Sequence, residues 1–297
     1  MSYRKAETLL TAVVIARASS LLIIKSCLGG FTTFNLMALR FVTAFVCLLP
    51  FVWKHLKTIP RDTLLHGMAL GALFFTIIAA ELQGLRLTNS TAMTSFLQNM
   101  AIVFVPLAEA ILHRRAPHRQ NLLCALLAVL GIGFLLMRGG RFELSAGALV
   151  CLGSALLYTA YIILLDRLSH HDEPLLLGFV IIGAAGVLST AATFLFEAPR
   201  LPATPREWVG GLLLAVVCGS IGISLQPVAQ RYVPSEKMCV FCALNPLSTC
   251  VMGWLFLGEW QGVTGVLGAV LILSSIVLSR LPEKKMNIQL AGGNAHG

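Results

Sequence analysis

The sequence predicts an all-α integral membrane protein with ten transmembrane helices, arranged as two inverted five-helix repeats. Three observations lead to this prediction. The chain is 57% apolar and only 12% charged, with a mean hydropathy of +0.84. Its apolar residues form continuous runs of spanning length, and its Lys and Arg residues are distributed unevenly between alternate gaps.

The low charge content excludes an ordinary soluble protein of 297 residues. Soluble domains carry about 25% charged residues, so most of this surface cannot face water. A bilayer core requires about 20 apolar residues per helix. An outer-membrane barrel is excluded because the runs are continuous rather than alternating.

Ten apolar runs follow one another, separated by short gaps that contain turn or charged residues. Their approximate bounds are 8–28, 34–53, 64–86, 90–112, 119–137, 145–165, 174–196, 207–229, 236–257 and 261–280. The first run is of spanning length and no small-residue cleavage site follows it, so we expect it to remain as a helix. We expect residues 282–297, which are polar and Gly-rich, to form a disordered cytoplasmic tail.

The basic residues predict the orientation of the chain. One set of gaps, together with both termini, carries 14 Lys and Arg residues, whereas the other set carries five. Basic loops face the cytoplasm, so both termini are predicted to be cytoplasmic. The net charge of +9 therefore serves orientation, and no nucleic-acid partner is expected.

An internal repeat relates the two halves of the chain. Five residues recur at a constant offset of 145: Arg86, Ser90, Met93, Phe96 and Leu112 match Arg231, Ser235, Met238, Phe241 and Leu257. We divide the chain into a first repeat, residues 1–140, and a second repeat, residues 141–281. Two consecutive five-helix units must be inverted relative to each other, which is typical of alternating-access transporters with a midplane substrate site.

Several short motifs carry a family resemblance. The stretch 84–99, Gly-Leu-Arg-Leu-Thr-Asn-Ser-Thr-Ala-Met-Thr-Ser-Phe-Leu-Gln-Asn, is followed by Val-Phe-Val-Pro-Leu at 103–107. Together with Arg40-Phe41, Asn245-Pro246 and Leu257-Gly258-Glu259, it resembles EamA-type permeases of the drug/metabolite transporter superfamily.

The resemblance covers about residues 8–280 and implies a secondary active transporter in a bacterial inner membrane. Its relatives export amino acids, metabolites or toxic compounds. The chain departs from the family in one respect. The first repeat has His113-Arg114-Arg115 where the second has Leu257-Gly258-Glu259, so the family's loop glutamate is present only once.

Two basic residues lie within the first run. Arg17 lies near the centre of its run, too deep to reach the interface easily, so it either contacts a substrate anion in a central cavity or bonds to another helix. Lys25 is close to the outer end, where its side chain can extend to the interface.

Arg40 and Glu81 form a candidate pair at matching depth in consecutive helices. As a structural pair they would hold these helices together, and as a functional pair they would form a gate or a proton-coupling site. Both interpretations follow from the same placement.

Uncharged polar residues near span centres are candidates for substrate binding: Gln98, Asn99, Tyr158 and Asn245. Each side chain can orient a polar substrate or bond across helices. The excess of intramembrane cations favours carboxylate-bearing substrates such as amino acids or organic acids.

The remaining functional classes fit less well. A receptor or scaffold would require neither intramembrane charges nor a repeat. An enzyme would require clustered ligands or a nucleophile with a base, and the seven histidines form no His-Glu-x-x-His motif. The Cys239-x-x-Cys242 motif has no second half, so no metal or cofactor is expected. We therefore expect a non-enzymatic exporter, with the lipid bilayer and a small-molecule substrate as its partners. We expect transport to be coupled to protons or to exchange, with purely downhill transport as the alternative, and a monomer is compatible with the sequence.

Overall fold

The computed structural model describes residues 3–27, 30–88, 97–112, 114, 119–136, 146–242, 244–245, 248 and 262–280. All regular secondary structure in these residues is helical, which confirms the predicted all-α class. We number the helices in chain order: α1 Tyr3–Cys27, α2 Thr33–Val52, α3 Arg61–Thr88, α4 Ala101–Leu112, α5 Arg119–Leu136, α6 Ala146–His171, α7 Pro174–Phe196, α8 Pro205–Gln230, α9 Ser235–Cys242 and α10 Gly262–Arg280.

Several of these helices have the length and composition of membrane spans. Within the described ranges, five segments qualify: Thr33–Leu56, Arg61–Leu87, Ala146–His171, Pro174–Phe196 and Pro205–Gln230. Shorter apolar segments lie in α4, α5 and α10. The chain is therefore a multi-pass membrane protein.

The helix bounds differ from the predicted runs by six residues at the end of α6, which reaches His171, and by five at the start of α1. Helix α1 begins at Tyr3 rather than at residue 8. Glu7, which precedes the first predicted run, is therefore inside the helix, and its side chain is buried. The apolar period of α1 continues through Ala6 and Leu10, which are both fully buried, so packing extends the helix beyond its hydrophobic run.

Helix α8 contains a feature that periodicity did not predict. It consists of α-helical Pro205–Leu213, π-helical Leu214–Ile221 and α-helical Gly222–Gln230. Thr204 caps its start, because the Thr204 Oγ1 accepts a hydrogen bond of 3.3 Å from the backbone N–H of Glu207.

Helix α7 is central to the packing, with contacts to α2, α3 and α8. A small-residue face of α3, Gly67-x-x-x-Gly71, lies directly against it. A Cβ on Gly67 would lie 2.6 Å from the Val180 Cβ, and one on Gly71 would lie 2.6 Å from the Ala184 Cβ. This face therefore allows the two backbones to approach closely.

The other main contacts pair helices from different halves of the chain. Helix α3 packs against α6, α1 against α8, α4 against α6 and α9, and α5 against α10. Two of these contacts include a serine that donates to a carbonyl oxygen of the neighbouring helix: Ser154 to Ile77 at 3.1 Å, and Ser275 to Cys124 at 2.8 Å.

Polar contacts at the two ends of the bundle are consistent with antiparallel neighbours. At one end, which we call the Asp172 end, Thr63 at the start of α3 bonds to Asp172, which follows α6. At the other, the Glu197 end, Asn35 at the start of α2 bonds to Glu197, which follows α7. Helix α7 joins the two ends.

Candidate functional site

A series of aromatic rings crosses the interior of the bundle. The ring of Phe41 on α2 lies 5.9 Å from that of Phe74 on α3. Phe74 lies 5.2 Å from Tyr161 on α6, and Tyr161 lies 6.0 Å from Tyr158 on the same helix. We call these four residues the aromatic series. It links three helices, two from the first half of the chain and one from the second.

Tyr158, a predicted substrate contact, connects the aromatic series to α9. It is only 7% exposed, and its hydroxyl lies 3.9 Å from the Cys242 Sγ. Asn245 is helical, half-buried and three residues beyond Cys242. Tyr158 therefore contacts the end of α9, and a shared role for Tyr158 and Asn245 in substrate binding stays a prediction.

Arg40 lies at the other end of the aromatic series. Its side chain is 9% exposed, and its guanidinium carbon is 5.5 Å from the centre of the Phe41 ring. This is within the range of a cation–π contact. The π-helical segment of α8 passes close by, because a Cβ on Gly219 would lie 3.6 Å from the Arg40 carbonyl oxygen. The structure therefore confirms that Arg40 is an interior residue.

Glu81 is half-buried on α3 and lies seven residues beyond Phe74. That spacing places both on the same face, about 10 Å apart along the axis. Because Phe41 faces Phe74, Arg40 is closer in level to Phe74 than to Glu81. A direct ion pair between Arg40 and Glu81 requires both side chains to extend toward each other along the helix axes. Their role as a gate or proton-coupling site therefore stays a prediction.

Gln98 and Asn99 lie immediately before α4, and both are half-buried. The preceding Leu97 packs against Ala148 and Cys151 in the first turns of α6. Tyr158 is seven residues beyond Cys151, or about 10 Å along α6. This pair of amides is therefore nearer the Glu197 end than Tyr158 is.

Arg17 and Lys25 have helical backbones within α1, but their side chains lie outside the described part of the structure. The proposed anion contact of Arg17 stays a prediction. Helix α1 packs against α8 and α9. Arg17 therefore belongs to a helix of the first repeat that contacts two helices of the second.

Sequence reasoning missed a group of fully buried polar residues on α8. The Gln226 Nε2 lies 3.3 Å from the Gln230 Oε1, and the Gln230 Nε2 donates to the Ile162 carbonyl oxygen at 3.0 Å. Both glutamines are 0% exposed. Their spacing of four residues within an apolar run was the available signal, since this spacing puts both amides on one face.

Two polar clusters occupy the ends of the bundle. At the Asp172 end, Asp172 accepts from the Thr63 hydroxyl at 2.7 Å and lies 2.9 Å from the His66 Nδ1. At the start of α9, the Ser235 hydroxyl donates to the Glu109 Oε1 of α4 at 3.0 Å.

At the Glu197 end, the cluster joins the connection between α7 and α8 to the start of α2. Glu197 accepts from the Asn35 backbone N–H at 2.9 Å. Arg200 donates to the Gly30 carbonyl oxygen at 3.1 Å and to the Glu207 carboxylate at 2.8 Å. Neither end cluster was predicted as a site.

The interior therefore combines a cation, an aromatic series and uncharged polar groups inside helices that are otherwise apolar. Such an arrangement can bind a small polar molecule. The described residues include no cluster of three or more His, Cys, Asp or Glu side chains with metal-site geometry. Cys242 is a free thiol, and the side chain of Cys239 lies outside the described set.

Comparison with known proteins agrees with the helical architecture. A solved crystal structure superposes with a TM-score of 0.81 over 96% of this chain and 99% of the other, at 18% identity. At that level of identity the match shows a shared fold. An uncharacterized transporter from Archaeoglobus fulgidus is 24% identical over 279 residues, which are 94% of this chain and 97% of the relative.

A threonine/homoserine exporter, RhtA of Salmonella typhimurium, is 28% identical over 188 residues, 59% of this chain and 58% of the exporter. A model of the EamA-like transporter family matches the chain twice, at residues 4–137 and 145–281. The resemblance noted in the sequence motifs is confirmed, and the two matches correspond to a two-repeat architecture. The chain belongs to the EamA-like transporter family.

Proposed function

We propose that the protein is a secondary active exporter of a small polar metabolite, such as an amino acid or an organic acid, and that it works by alternating access. The observation that carries this proposal is the buried connection from Arg40 through the aromatic series to Tyr158. A cation and polar groups within a bilayer are costly unless they serve a pathway or a partner. The relative named as a threonine/homoserine exporter supports this substrate class.

The architecture proposed for this mechanism is ten membrane spans in two inverted repeats. The main helix contacts support it, because many of them have a counterpart in which each helix is replaced by the one five places along the chain. Helices α2 and α7, α4 and α9, and α5 and α10 each pack against their own counterparts. The contact of α3 with α6 has its counterpart in that of α8 with α1. In such a fold the substrate site lies at the interface between repeats.

For substrate binding we propose a carboxylate contact to Arg17, with Tyr158, Gln98, Asn99 and Asn245 bonding to the remaining polar groups. Tyr158 and Asn245 supply one side of the site, while Gln98 and Asn99 lie toward the Glu197 end. An intramembrane arginine is stabilised by a substrate anion because the anion replaces solvent that the bilayer excludes.

We propose that a gradient or exchange drives transport, since the sequence contains no P-loop. Glu81 is the proposed proton-coupling acid, and Arg40 is its partner in gating. Both termini are proposed to be cytoplasmic, in a bacterial inner membrane, on the basis of the uneven distribution of basic residues.

Flux into proteoliposomes tests the function. We expect the purified protein to transport radiolabelled amino acids or organic acids, and to transport organic cations poorly. The Arg17→Gln variant should lower apparent affinity for the anionic substrate by at least about tenfold, the value of one charge-assisted hydrogen bond. Arg61→Gln, a change of the same type at an exposed helix start, is the matched control.

Absence of flux for both substrate classes would argue against the transporter assignment. Preference for cations, or an unchanged affinity in Arg17→Gln, would instead argue against the proposed binding mode alone.

A further inference from the structure

Helix α7 is flanked by two acids, and each bonds to a helix of the first repeat. Asp172, two residues before α7, contacts Thr63 and His66 in the first turns of α3. Glu197, immediately after α7, accepts the backbone N–H of Asn35 in the first turn of α2. The second repeat is therefore fastened to the first at both ends of one helix.

Both contacts place a carboxylate against the beginning of a helix, which carries a partial positive charge and has backbone N–H groups without intrahelical partners. Glu197 accepts one of these N–H groups, that of Asn35, whereas Asp172 contacts the side chains of Thr63 and His66. Asp172 is 7% exposed and Thr63 1% exposed, so water competes little for that hydrogen bond. At the other end, the Asn35 side chain adds a bond of 3.3 Å to the Ala198 carbonyl oxygen.

Between these ends, small residues line the contacts of α7. Gly67 and Gly71 of α3 lie against it. Gly186 of α7 lies against the α2 backbone, where its Cβ would be 3.5 Å from the Val42 nitrogen. Small residues allow close approach without interlocking of long side chains. Polar restraints between α7 and the first repeat are thus concentrated at the two ends.

We propose that Asp172 and Glu197 are the latches of two gates at opposite faces of the membrane. Helix α7 has 23 residues and is therefore about 34 Å long, close to the thickness of a bilayer core. Release of one latch allows α7 to tilt away from the first repeat at that end, while the other latch holds. This inference rests on the proposed transport function and adds the residues that control access.

Distances between spin labels test the latches without any substrate. One pair, at Arg61 and His171, reports on the Asp172 end, and another, at Thr32 and Leu201, reports on the Glu197 end. All four positions are exposed. Labels carried by unnatural amino acids leave the native cysteines in place. Pulsed electron–electron double resonance on the full chain in nanodiscs then measures the distribution of label–label distances at each end. The share of molecules with the longer distance is the open fraction.

We expect Asp172→Ala to raise the open fraction at the Asp172 end about tenfold, as loss of a hydrogen bond to a charged group predicts. The Glu197 end should keep its wild-type distance. Glu197→Ala should have the opposite pattern. Glu173→Ala is the matched control, because Glu173 is exposed, adjacent to Asp172 and makes no side-chain cap contact.

If Asp172→Ala does not fold, Thr63→Val combined with His66→Ala removes the same latch from its other side and should open the same end. Unchanged distances at both ends in folded variants would overturn the proposal, as would opening at the wrong end or equal opening in Glu173→Ala. Flux is measured separately, so latches that open in a protein without transport would count against the proposed function and not against the latches.

Discussion

Two predicted site residues, Arg40 and Tyr158, are connected by the aromatic series although they are 118 positions apart in the chain. Tyr158 has a buried ring and a hydroxyl that reaches Cys242 on α9. Its ring contributes to packing and its hydroxyl to polarity. A change to phenylalanine separates these contributions, because it keeps the packing of the ring and removes the polar hydroxyl.

We expect Tyr158→Phe to retain the fold and to weaken apparent substrate affinity about tenfold, the upper range for one neutral hydrogen bond. The measurement is concentration-dependent flux in proteoliposomes, with thermal unfolding in detergent for stability. Thr76→Val removes a hydroxyl that faces outward and bonds only within its own helix, so it should leave both quantities unchanged. A loss of stability without loss of affinity would assign the Tyr158 hydroxyl to a structural contact with α9 rather than to substrate binding.

Glu81 leads to a second prediction at the residue scale. The Glu81→Gln variant should still exchange substrate across the membrane but should not accumulate it against a gradient, because the amide carries no titratable proton at this position. Counterflow and proton-driven uptake measure the two activities in the same vesicles. Full proton-driven accumulation by the variant would remove Glu81 from coupling.

At the scale of elements, the α3–α7 contact depends on the absence of side chains. A Cβ on Gly71 would lie 2.8 Å from the Ile181 carbonyl oxygen as well as 2.6 Å from the Ala184 Cβ. Neither neighbour can move without displacing a helix backbone. This contact therefore sets the distance between two helices of different repeats.

We expect Gly71→Ala to destabilise the protein by about 1–3 kcal/mol, the usual cost of overpacking. Thermal unfolding in detergent measures this as a lower Tm. Gly153→Ala is a matched control on α6, where a Cβ would meet nothing within 4 Å. Alanine is the better helix former, so Tm should stay constant or rise in the control. Equal losses in both variants would contradict a specific contact at Gly71.

The π-helical segment of α8 is the other notable element. The Ser220 hydroxyl donates to the Ala44 carbonyl oxygen of α2 at 3.1 Å, and Gly219 allows the helices to approach there. Such segments are frequent at functional positions. This one contacts the turn of α2 that carries Arg40, so it belongs to the surroundings of the candidate site.

At the scale of the whole molecule, the family model matches two consecutive segments of the chain, residues 4–137 and 145–281. Orientation in the membrane is then decided by charge in the loops. Single cysteines at Gly29 and Gly140 should react with an impermeant reagent from outside the cell, and one at His118 only after permeabilisation. Labelling of Gly29→Cys from the cytoplasmic side alone would reverse the topology.

The sequence by itself determined the class of protein, the order of its helices and its family. These depend on local properties of the chain. Within a bilayer, the backbone N–H and C=O groups of a continuous apolar run must bond to each other, so the run forms a helix. The family motifs are also short and contiguous in sequence. The sequence also placed Arg40 and Tyr158 within spans, because depth along a span can be counted from the run, whereas their burial is known only from the structure.

Only the tertiary structure decided which residues meet. Asp172 and Thr63 are 109 positions apart, and the periodicity of neither helix indicates the other. The buried state of Glu7 and the π-helical turn of α8 likewise depend on packing against neighbouring helices. Pairing between helices is set by shape and by hydrogen bonds across a three-dimensional interface. A one-dimensional pattern of hydrophobicity records which face is buried but not what lies against it.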